Sequence, residues 1–169
     1  TSTTAIIVTH DPEEAMLIAD RIILMNEGKI IQDGSSSELY FSPVDKFAAS
    51  FFGYVNHLDG IVDGKSIKTI FGNISTTKLP TGTSLDVVAR PNSLSLIEIE
   101  PNNKKSIIVC VESVKIVGQD THVWCFLESG QGVKDRILVV LSEMGDIKEG
   151  DKKAIILDKD KIFSFGRVS

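Results

Sequence analysis

Apolar and polar positions follow one rhythm up to about residue 53 and another beyond it. Ala5–Val8 is a short apolar run with β-branched residues, which predicts a strand buried on both faces of a parallel sheet. A helix should follow: Asp11 suits the cap, Pro12 the first helical position, and Glu14 completes an Asp-x-x-Glu variant of the capping box. Ala15, Ile18, Ala19 and Ile22 recur at helical spacing, so this helix is short and amphipathic and ends at Asp20 and Arg21. Ile22–Met25 and Lys29–Gln32 read as a hairpin across the three residues Asn26-Glu27-Gly28, with Gly28 at positive φ. Gly34 closes the second strand. Ser35 with Glu38 predicts a capping box on a single-turn helix through Tyr40, and Pro43 prevents its continuation. Val44, Phe47, Ala48 and Phe51 then share one face of a further helix, packed into a core, with Gly53 as its breaker.

From His57 onward, short β-type runs are separated by Gly, Pro, Asn and Asp, the pattern of an antiparallel barrel or sandwich. Nine strands are expected: Leu58–Val62, Ser66–Phe71, Ser84–Ala89, Ser93–Ile99, Ile107–Val117, His122–Glu128, Arg136–Leu141, Lys153–Asp158 and Ile162–Phe165. Asn102-Asn103-Lys104-Lys105 and Ser129-Gly130-Gln131-Gly132 read as surface loops. The change of rhythm places a domain boundary within 53–57, giving a segment 1–55 and a β domain 56–169. The fold class is therefore mainly β, with a small α/β piece in front.

Composition narrows the partners. An apolar share of 42% and a charged share of 24% are ordinary for a globular chain of 169 residues, and a net charge of −5 disfavours nucleic acid. No run approaches the ~20 apolar residues that would cross a bilayer, so no direct membrane insertion is expected. Cys110 and Cys125 could pair only if their strands lie side by side; two reduced cytoplasmic thiols are expected. His10, His57 and His122 are scattered, with no Cys-x-x-Cys or His-x-x-x-His spacing, so no metal site is expected.

One position carries candidate chemistry. His10 stands where the expected strand hands over to the helix, and the C-terminal end of a parallel strand is where such sheets bind ligands. Its surroundings, THDPEEAMLIADRIILMNEGKIIQDGSSSELYFSP, resemble the end of the ATP-binding subunit of ABC transporters over about residues 4–56. Thr9, His10, Asp11, Glu14 and Ala15 fall in register, followed by Ala19-Asp20-Arg21, Gly28, Gly34, Pro43, Gly53 and Asn56. The resemblance implies that His10 is a switch histidine contacting the γ-phosphate of ATP. It also leaves two readings open for Asp11, a contact across the ATP interface or helix capping alone. Glu13 and Glu14 likewise belong either to a face that docks the membrane subunit or to a solvated first turn.

The rest of the chain resembles, less specifically, the transport-associated OB-like domain of bacterial importers of sugar, polyamine, sulfate and ferric iron. VARPNSLSL (88–96), VESVKIVGQDTHVWCFLESG (111–130) and IKEGDKKAIILDKDKIFSFG (147–166) carry that likeness, although Asn92 stands where the family has an acid. What the sequence lacks matters equally. It contains no GxxxxGK[ST] string, no LSGGQ signature and no apolar run ending in Asp-Glu. By the resemblance those parts, about 190 residues or one ordinary domain, would precede Thr1 in a longer parent. ATP and Mg2+ are then cofactors of that parent, with none expected for this chain alone, which should not hydrolyse ATP.

Three functions follow as expectations. First, the chain is the regulatory and dimerisation portion of a subunit whose full-length form couples ATP hydrolysis to substrate uptake. Its implied partners are a second copy and the membrane-spanning permease subunits, which hold it at the inner face of the cytoplasmic membrane. Second, the β domain is an autonomous module for a small ligand or a regulatory protein, with Val123, Trp124 and Phe126 forming either an apolar patch or barrel core. Third, it is an OB fold for single-stranded nucleic acid, which the surplus of acidic over basic residues disfavours.

Overall fold

The computed structural model describes residues 4–75, 79–100, 107–128, 134–143 and 145–167, and divides the chain between Tyr54 and Val55 into two compact units. The two loops expected at 102–105 and 129–132 lie outside the described residues.

The first unit holds helix α1 (Pro12–Ile18), strands β1 (Ile22–Asn26) and β2 (Lys29–Gly34), and helices α2 (Ser36–Phe41) and α3 (Lys46–Phe51). Its small core is built from Ile22, Leu24, Leu39, Ala48 and Phe52, with Ala15, Met16 and Ile31 against it. Side-chain caps start every helix: Asp45 Oδ1 accepts from Ala48 N at 2.7 Å, and Ser35 and Glu38 complete the expected reciprocal box. The box also lowers the Glu38 pKa, first through the backbone N–H that Ser35 donates to it. Gln32 ties the hairpin to the following loop, its amide donating to Ser42 O and accepting from Val44 N, both at 3.0 Å. At the open end of the hairpin Arg21 grips Asp33 through two nitrogens, at 2.7 and 2.5 Å.

Three features of this unit depart from the expectation. Ala5–Val8 forms no strand: a segment buried on both faces needs a neighbour on each side, and among the described residues none pairs with it. The hairpin turn has two residues, with Glu27 at φ 49° and Gly28 at φ 74°, the doubly positive turn whose twist matches antiparallel strands. In α3 the buried residues are Ala48 and Ala49, joined by Phe52 just beyond, while Val44 and Phe47 point outward.

The second unit contains ten strands among the described residues: β3 (Asn56–Asp63), β4 (Ser66–Thr69), β5 (Gly72–Ser75), β6 (Ser84–Ala89), β7 (Leu94–Ile97), β8 (Ile107–Val117), β9 (Asp120–Glu128), β10 (Lys134–Leu141), β11 (Lys152–Leu157) and β12 (Ile162–Gly166). They form two five-stranded antiparallel sheets, ordered β10-β9-β8-β11-β7 and β12-β6-β3-β4-β5. In the first sheet β7 returns alongside β10, curling that sheet toward a barrel. Strict alternation in β3 sends every second residue inward, and Leu85, Val87, Val109, Val123 and Val139 meet in one fully enclosed core.

Strand β5 was not expected, because Gly and Asn are poor strand residues and only Ile74 faces inward. Pairing with β4 creates it, through the turn in which Thr69 Oγ1 donates to Gly72 O at 2.8 Å. Gly60 marks the closest approach inside the unit. A Cβ there would stand 2.7 Å from methyl groups of both Ile67 and Val87.

Asn56 joins the two sheets. Its buried amide accepts from Leu138 N at 2.9 Å and donates to Leu138 O at 2.8 Å, satisfying backbone groups that edge strand β10 turns away from β9.

Candidate functional site

The segment Thr9–Glu14 is ordered by its own polar side chains. Asp11 Oδ1 accepts from Glu13 N at 2.9 Å and Glu14 N at 3.2 Å, capping α1. The expected return bond from Glu14 is relayed through a third residue. Thr9 Oγ1 donates to Glu14 Oε2 at 2.6 Å and accepts from Asp11 N at 3.1 Å. His10 sits between these anchors with its side chain exposed. An imidazole so placed can present an N–H to a ligand reaching this turn. The sequence contributes no glycine-rich loop to hold the remainder of a nucleotide.

The structure separates the other sequence-marked residues. Glu13 is an exposed first-turn residue, and Glu14 is committed to Thr9. Val123 belongs to the core, whereas Trp124 and Phe126 lie on the opposite face of β9 by the alternation of the strand. Trp124 carries the Arg136 guanidinium 4.2 Å from its ring centroid, and Arg136 Nε reaches Glu112 at 2.5 Å. Core and outward face are thus both present in one strand.

Cys110 and Cys125 lie on adjacent strands but face opposite ways, since Val111, not Cys110, stands opposite Cys125. Both are free thiols, and burial pushes the Cys125 pKa up to about 12.

In the 88–96 segment Arg90 is buried, with its guanidinium 5.9 Å from the Phe163 ring centroid, and Pro91 opens a tight turn that leaves Asn92 outside. Ser93 closes that turn, its Oγ donating to Arg90 O at 2.6 Å and its O accepting from Asp158 N at 2.8 Å. Arg90 and Ser93 thus serve the frame of this loop. Sequence reading marked Asn56 only as part of the family resemblance and did not mark Gln32; that each amide satisfies two backbone groups is signalled by no local motif.

Comparison with known proteins extends across both units. The spermidine/putrescine import ATP-binding protein PotA of Mesorhizobium japonicum is 32% identical over 171 residues, covering 95% of this chain and 45% of that protein. Its counterpart in Vibrio cholerae is 36% identical over 139 residues, covering 77% of this chain and 37% of that protein. The chain is homologous to the C-terminal part of an ABC-importer ATP-binding subunit. This importer-subunit segment spans less than half the length of the curated relatives it matches. No protein-family model matches it. Among solved structures, the cytoplasmic molybdate-binding protein ModG superposes with a TM-score of 0.52 at 12% identity, over 66% of this chain and 96% of that one. That likeness establishes the fold: a mainly β chain whose β unit is OB-like, preceded by a small part containing the helices. No helix among the described residues is long and apolar enough to cross a membrane.

Proposed function

We propose that this chain is the switch-histidine and regulatory portion of a polyamine-type importer subunit, a portion that pairs with a second copy of itself. The observation that carries this reading is the identity to the spermidine/putrescine import protein over 95% of the chain, through the His10 turn and the β unit alike. In the full-length protein His10 would donate a hydrogen bond to the terminal phosphate of ATP, with Mg2+ and the remaining phosphate contacts supplied from outside this segment. The Thr9–Asp11–Glu14 bonds fix the turn that carries His10, so the imidazole would reach the phosphate from a backbone that is already placed. Permease subunits would hold the assembly at the inner face of the cytoplasmic membrane, and residues 1–55 and 56–169 would act as the end of the ATPase domain and its regulatory domain.

Replacement of His10 by Ala in the full-length protein should lower ATP turnover on the order of 10²-fold, the scale for one lost transition-state donor, with nucleotide binding retained. Unchanged turnover would refute the role. Sedimentation of this chain at high concentration tests the pairing: a dimer is expected, and a strict monomer rejects it.

The ModG likeness favours a second reading, in which the β unit senses a small oxyanion. Calorimetric titration with molybdate decides it, and absence of heat removes it.

A further inference from the structure

We propose that Thr9 and Glu14 are positioning residues for His10, a hydroxyl and carboxylate pair that widens the cap of α1 by one residue and holds the His10 backbone from both sides. In an ordinary capping box the acid at the third helical position bonds straight back to the N–H of the cap residue, and the residues before the cap are left untied. Here that acid, Glu14, accepts from Thr9 Oγ1 at 2.6 Å, and the same hydroxyl oxygen accepts from Asp11 N at 3.1 Å. Residues 9 and 11 are thereby fastened to one carboxylate on the first turn of α1, and His10 is the residue between them.

The polarity of the two bonds selects a hydroxyl. Asp11 N–H can only donate and a carboxylate can only accept, so residue 9 must give a proton to one and a lone pair to the other; serine and threonine do both, and valine, of the same shape as threonine, does neither. The 2.6 Å separation is that of a hydroxyl on a charged acceptor. Among the described residues no strand pairs with Ala5–Val8, and Ile6 and Val8 are exposed, so the approach to His10 is held from the helix side. Asp11 anchors α1 independently of Thr9, its Oδ1 accepting from Glu13 N and Glu14 N and its backbone O from Ala15 N at 3.1 Å. With Glu14 exposed and Thr9 half-buried, the pair adds little to stability, and its effect is on placement. A consequence for turnover rests on His10 meeting the ATP phosphate; the clamp on the backbone does not.

Backbone 15N relaxation in the 169-residue chain tests the clamp. The order parameter of the His10 N–H should match that of α1, about 0.85, and fall below about 0.6 in Thr9→Val, with Thr9→Ser close to the native value. Turnover of the full-length protein tests what the clamp does. Thr9→Val should lower kcat about ten-fold with KM for ATP unchanged, Glu14→Ala should do the same, and Thr9→Ser should restore most of the rate. In a His10→Ala background Thr9→Val should add no further loss. A His10 order parameter that is low in the native chain or unmoved in Thr9→Val overturns the clamp. A native kcat in Thr9→Val, or a further fall where His10 is already Ala, overturns the positioning role. Native turnover in His10→Ala alone would instead remove the phosphate reading, and relaxation would then decide the clamp by itself.

Discussion

Ile6 and Val8 in the first unit are 92% and 95% exposed, whereas Val87 and Val88 in the second are wholly buried, although all four sit in short apolar runs. The composition of the runs is alike; their neighbours differ. Strand β6 lies between β3 and β12, which satisfy its backbone on both sides, and the facing sheet encloses its inward side chains. Ala5–Val8 meets no strand among the described residues, so its apolar character brings it no shelter. The same contrast runs through each unit. Leu17, Ile30 and Phe41 of the first face water, while the second gathers seventeen buried apolar residues, among the described residues, into one cluster. A closed β unit carries its own stability; the first unit rests on a small core, side-chain caps and surface ion pairs, which contribute little each.

The largest test of that contrast strikes the closed core. Leu85→Ala should destabilise the β unit by about 3 kcal/mol, read from Trp124 fluorescence in denaturant, because the enclosed site cannot collapse around the lost methyl groups. Asn56→Ala should cost about 2 kcal/mol in the same assay, since both backbone groups of Leu138 are left without the amide that serves them. Equal stability after that change would mean that β10 is not fastened through Asn56. In the first unit, Leu17→Ser should change stability by less than about 0.5 kcal/mol, the expectation for an exposed position. A larger loss would show that the first unit buries this face.

Acid gives a smaller difference. The Asp33 and Glu38 carboxylates have lowered pKa values, Asp33 chiefly through the Arg21 hydrogen bond and Glu38 through Ser35 N–H. Their contribution is present above the ordinary carboxylate range and fades as the pH falls through it, so amide exchange in the β1–β2 hairpin should quicken below about pH 4. At the alkaline end the Cys125 thiol, held neutral by burial, should resist iodoacetamide at pH 8 in the folded chain, while Cys110 reacts first. Simultaneous labelling of both would mean that the β unit opens readily.

Much of the fold was legible because it obeys local rules. Alternation located β6 and β8 to the residue, and the Ser35 and Asp11 caps appeared where short polar side chains precede helical spacing. The Thr9 relay was not legible, since it depends on how a hydroxyl two residues before the cap is turned. Strand β5 was missed for the opposite reason: its residues have no strand preference, and only pairing with β4 makes it one. At the candidate site, the sequence marked His10 and placed it between an apolar run and a cap. It could not tell that the run would stand exposed.

Periodicity, capping residues and turn glycines are properties of neighbours along the chain, and from the sequence by itself they determined most of the strands and the helix starts, while the resemblance of whole strings around His10 and in the β domain pointed to importer subunits. Which apolar runs become core, and that Asn56 reaches Leu138, 82 residues further along the chain, to bridge two sheets, were decided only by the tertiary structure. Burial and hydrogen-bond satisfaction depend on what lies across space, and no local pattern carries that information.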